Sequence, residues 1–88
     1  MAFIDHSVSK VVATILAADD KGRDGAIDLL IEMASVDQNS ISPSEASLLF
    51  ICSDLAVLFA ATLEGIAKNK EMDKADILRN LALAAMDA

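Results

Sequence analysis

The sequence predicts an all-α protein: a small up-down-up-down four-helix bundle, one domain over residues 1–88, with a long central third helix and an expected oligomeric state. Three observations lead there. Glycine and proline are scarce, at three and one, while alanine and leucine, which lead the helix scale, are abundant. Apolar residues recur at three- and four-residue spacing instead of alternating. Apolar side chains make up 55% of the chain although only three are aromatic, so aliphatic residues must fill the interior. A chain this short lies near the lower limit for a core that is stable alone, which makes self-association an expectation of size as well as composition.

The first helix is expected over residues 5–20, where Val8, Val11, Val12, Ile15 and Leu16 form one stripe and Ser9, Lys10 and Thr14 occupy the other face. Gly22 is its candidate stop, because glycine accepts the left-handed conformation that ends many helices. The second helix, 24–36, starts from Asp24 as candidate cap and lines Ile27, Leu30, Ile31 and Ala34 along one side. A polar loop, DQNSIS, follows. The third helix has the clearest start signal, since Ser42, Pro43 and Glu45 make a capping box with proline at the first helical position. Its pattern continues to about residue 69, some 40 Å at about 1.5 Å per residue. The fourth helix begins at Asp73 and turns Ile77, Leu78, Leu81, Ala84 and Ala85 inward. Short connections make successive helices antiparallel neighbours.

Within the third helix the run LLFICSDLAVLFAATL, residues 48–63, interrupts an apolar stretch with Ser53 and Asp54. On a helical wheel Leu48, Leu49, Cys52, Leu55, Ala56, Phe59, Leu63 and Ile66 fall on one broad side, expected to be the core, with Ser47, Asp54 and Gly65 opposite. Phe50, Ile51, Val57, Leu58 and Ala61 surround Asp54, so its side is no ordinary solvated face. Phe50, Asp54, Val57, Leu58 and Ala61 are therefore the candidate interface, because a contiguous exposed apolar patch marks a contact surface; the alternative is that Asp54 simply points to water between apolar neighbours covered by the other helices. An acid inside such a contact fixes register or oligomeric state when it finds a partner, for which Lys10, Lys68 and Arg79 of a neighbour are candidates. A membrane span is not expected: sixteen residues fall short of the roughly 20 a bilayer requires, and Asp54 would lie near the midplane.

The net charge of −7 is unevenly spread. Residues 1–64 hold ten acids against three bases, whereas 65–88 hold four of each. Such a field repels nucleic acid and anionic membrane and attracts a basic protein. Asp19, Asp20, Asp24, Asp28 and Glu32 form a candidate acidic partner-binding edge. They lack the alternating oxygen ligands of an EF-hand loop.

No catalytic, cofactor-binding or metal-ligating residue is assigned. His6, the single histidine, suits a surface or capping role, and Cys52 falls on the face expected to be core with no base to activate it. Ser53-Asp54-Leu55 reverses, in mid-helix, the Asp-Ser-Leu order by which acyl carrier proteins hold phosphopantetheine. One cysteine and an N-terminus without a basic start and apolar run suggest the cytoplasm. The functional expectation is a non-enzymatic interaction or regulatory module that self-associates, most simply as a dimer, through the third helix. The alternative is an acidic inhibitor or nucleic-acid mimic that blocks a basic nucleic-acid-binding protein, as phage-type anti-defence proteins do.

Overall fold

The computed structural model describes residues 2–87, with side chains from Val8 onward. Its helices are α1 (Ala2–Ala34), α2 (Pro43–Lys70) and α3 (Lys74–Asp87), with one turn of 3₁₀ helix at Gln38–Ser40. The expected four-helix bundle is therefore wrong: among the described residues there are three α-helices. Gly22 does take a positive φ, at φ 72° and ψ −157°, a region essentially reserved for glycine. Helical backbone resumes directly on both sides, so the glycine bends α1 instead of ending it.

The bend is sharp. A straight helix of 33 residues would be about 50 Å long, more than the 44 Å longest dimension of the whole molecule. Lys10, Val11, Thr14 and Ile15 of the first arm share a groove with Leu30 and Met33 of the second. The turn leaves little room at Gly25, where a Cβ would lie 2.5 Å from Lys21 Cβ and 3.1 Å from the Ala17 carbonyl oxygen.

Local chemistry explains the other boundaries. Ser35, at φ 55°, closes α1, and the Val36 amide donates back to the Ile31 carbonyl at 3.1 Å. Asp37 accepts from the Asn39 amide at 3.0 Å and so organises the 3₁₀ turn. The expected capping box opens α2: Ser42 Oγ accepts from the Glu45 amide, and Glu45 accepts from the Ser42 amide, both at 3.2 Å. Glu71 ends the helix in the left-handed region, and the Met72 amide donates to the Ala67 carbonyl at 3.1 Å. Asp73 then starts α3 by accepting from the Ala75 amide at 3.1 Å.

Among the described residues the core consists of Ile15, Ala18 and Ala26 from α1, Ala56, Ala60 and Leu63 from α2, and Ile77 and Leu78 from α3. Half of these are alanine, and the largest fully buried side chain is Ser53. Small residues on facing helices let backbones approach closely but bury little apolar area each. Thr14 and Ser53, the buried polar residues, donate to carbonyls of their own helix, Lys10 at 2.8 Å and Phe50 at 2.9 Å, so neither hydroxyl is left unsatisfied. At the far end Lys74 holds α3 to α1 through Asp19, its Nζ 3.0 Å from each carboxylate oxygen. That hydrogen bond raises the Lys74 pKa above its usual 10.5, with burial acting in the opposite direction.

Candidate interaction surface

The two sides of α2 have opposite characters. Ser53, Ala56, Ala60 and Leu63 are buried against the rest of the chain. On the opposite flank Leu48, Ile51, Leu55 and Leu58 are 62%, 56%, 60% and 65% exposed, respectively. The face expected to be core is thus largely open, Leu48, Cys52, Leu55 and Phe59 included. The reason is steric: α1 and α3 pack against the small residues of α2, where their backbones can come close, and the bulky residues are left outside.

Asp54 finds its partner within the chain, and it is none of the bases expected from a neighbour. Arg23, one residue past the bend of α1, places Nε 2.9 Å from Asp54 Oδ1 and a terminal guanidinium nitrogen 3.3 Å from Oδ2. The same guanidinium lies over the Phe50 ring, 4.5 Å from its centroid. Cation–π attraction and the ion pair therefore act on one side chain, anchoring the bend to the first half of α2. Both ionic partners stay about half exposed, at 48% and 60% for Arg23 and Asp54, so the pair contributes at most about 1 kcal/mol. Lys68 and Arg79 are engaged locally, with Glu64 at 3.7 Å and Asp76 at 2.7 Å.

The candidate interface residues thus part company. Phe50 and Asp54 lie under Arg23, Val57 is half-buried and packs against the core, and Leu58 and Ala61 are exposed. Ile51 and Leu55 belong with Leu58 on the open stripe. A heptad count would have found them, since Leu48, Leu55 and Thr62 are seven apart, as are Ile51, Leu58 and Gly65.

The open stripe runs into a groove between the arms of α1 and α2, about 310 Å³ in volume, lined chiefly by Val11, Ile15, Leu30, Met33, Leu55 and Phe59. A second cavity of about 290 Å³ lies between α1 and α3, against Val12, Leu16, Leu78 and Met86. The acidic edge gathers around the bend. Asp19 is bound by Lys74, Asp24 is exposed, and Asp20, Asp28 and Glu32 border a shallow recess beside Lys21 and Gly25.

Among the described residues no group of three or more His, Cys, Asp or Glu side chains is placed to hold a metal ion. The His6 side chain lies outside those described. By length and composition α2 could cross a membrane; its helical extent, about 42 Å by rise per residue, removes the length objection that the apolar run alone raised. Protein-family models, curated proteins and solved structures were all compared with the chain, and none matches it.

Proposed function

We propose that this protein is a non-enzymatic helical interaction module that self-associates through α2. The observation carrying this reading is the open stripe of Leu48, Ile51, Leu55 and Leu58. The chain as a whole also carries more surface than a compact monomer of its mass would. The chain exposes 6091 Å², whereas a compact monomer of 9.3 kDa exposes about 5,000 Å². The difference, about 1,100 Å², is comparable to the roughly 800 Å² each partner contributes to a stable interface. Burying four large aliphatic residues is favourable by about 1.5–3 kcal/mol each before the costs of association are subtracted.

A bilayer would also cover an apolar face. With α1 docked, however, that arrangement carries Asp54 and Arg23 towards the middle of the hydrocarbon, at about 2.5–3.5 kcal/mol for each charge on the insertion scale. A second reading draws on the exposed acids Asp20, Asp24, Asp28 and Glu32: an acidic decoy that occupies the basic groove of another protein. The two protein readings respond differently to salt, because apolar burial is nearly salt-independent whereas attraction between exposed charges is screened.

Sedimentation equilibrium of the native chain from micromolar to millimolar concentration, at low and high salt, tests the proposal. Reversible association that persists at high salt is expected. A monomer at every concentration overturns it. Flotation with phosphatidylcholine vesicles also overturns it, by giving the face to lipid. Binding to a basic protein that weakens steeply with salt, without self-association, would move the function to the acidic edge.

A further inference from the structure

Resting on that reading, we infer that the occupant of the α2 stripe is a second copy of the chain lying antiparallel, with the two-fold axis between Leu55 and Leu58. The stripe is graded in size. Its N-terminal half carries Leu48 and Ile51, both more than half exposed, and its C-terminal half carries Thr62 and Gly65. A Cβ at Gly65 would meet nothing within 4 Å, so that end of the stripe presents no side chain and has open space above the backbone. A parallel pair stacks each residue on its own copy, setting leucine and isoleucine layers at one end against glycine and threonine layers at the other. Helix axes held at the 8–10 Å typical of packed helices cannot suit both ends.

Turning one copy around removes the conflict. Leu55 then faces Leu58 of the second copy, Ile51 faces Thr62, and Leu48 settles over Gly65. Each outer layer holds one large and one small side chain, and the two central layers hold a leucine pair. This is interdigitation of the kind that fills a core to native density.

Electrostatics favours the same orientation. Glu45 is in the first turn of α2, and Lys68 and Lys70 are in its last turn. The same register brings Glu45 level with Lys68 of the second copy. Lys68 shares its charge with Glu64 across 3.7 Å, which leaves Lys70 as the more available cation at that end. A parallel pair would set Glu45 beside Glu45 and Lys70 beside Lys70. Antiparallel helices also oppose their macrodipoles, head to tail.

The test is disulfide trapping on a Cys52→Ser background, which removes the native exposed thiol. Two variants are made, Leu48→Cys and Gly65→Cys, each on an exposed position, and one carries a tag that separates it on a gel. They are oxidised alone and after mixing under reducing conditions. A disulfide forms only where the two Cα atoms come within about 7 Å. The antiparallel register predicts cross-linking in the mixture, always between unlike chains, and none in either variant alone. Cross-linking of each variant with itself indicates a parallel pair and overturns the inference while leaving self-association intact. A variant background that sediments as a dimer but cross-links in no combination overturns the inference by removing the stripe from the contact. If that background sediments as a monomer, the reading beneath the inference fails with it.

Discussion

The open face of α2 carries the larger apolar side chains, yet it is the other face that is covered. The covered face is built from Ser53, Ala56 and Ala60 with a single large residue, Leu63; the open one presents Leu48, Ile51, Leu55 and Leu58. The chain has thus sorted α2 by side-chain size more than by hydropathy. Small residues admit the close approach of α1 and α3, and the large residues are left uncovered on the other side.

Substitutions can break this contrast, and the largest effect belongs to the crowded face. Ala60→Leu adds bulk where helices touch and is expected to cost about 3 kcal/mol, the upper end of overpacking penalties. Urea unfolding monitored by circular dichroism reads it out. Val57→Glu comes next. Its half-buried position against the core means that a charge there weakens the fold as well as any assembly, by about 2 kcal/mol, visible as a lowered denaturation midpoint that dilution does not explain. A substitution remote from both faces sharpens the comparison from the other side: Glu71→Gly relieves a left-handed residue at φ 53° and is expected to add about 1 kcal/mol of stability without altering the association constant. The smallest effect is at the bend. Arg23→Met removes an exposed ion pair and should shift stability by less than about 1 kcal/mol, leaving the sedimentation profile unchanged; a large loss would mean that Asp54 depends on Arg23 far more than its exposure implies.

How far the sequence could be read depended on whether the signal was local. The capping box at Ser42 and Glu45, the start of α3 at Asp73 and the special conformation at Gly22 were all legible, because each is decided by a few neighbouring residues. That Gly22 would bend one helix instead of separating two was not legible, since both outcomes use the same positive φ. The orientation of α2 is hidden from the sequence for a different reason. Bulk hydrophobicity pointed to Leu48, Leu55 and Phe59 as core, whereas the helix pairing follows the complementary small residues, a property of two surfaces together. The same lesson applies to α1 and α3, where Ile15, Ile77 and Leu78 are buried as expected but Val11, Leu16 and Leu81 are exposed. Asp54 stands out in the sequence as needing an explanation, yet its partner, Arg23, lies 31 residues away, beyond what spacing reveals.

The most direct test of the two-face account is the solution mass and helicity of Leu58→Glu, measured beside the native chain at the same concentration. A charge at the most exposed residue of the stripe should leave the helical signal intact and reduce the mass to a single chain of 9.3 kDa, while the native protein sediments as a dimer, with the association constant lowered about thirtyfold or more, as for a hot-spot loss of about 2 kcal/mol. A variant that remains dimeric, or that loses its helical signal together with its partner, would contradict the division of α2 into an inner face for folding and an outer face for assembly.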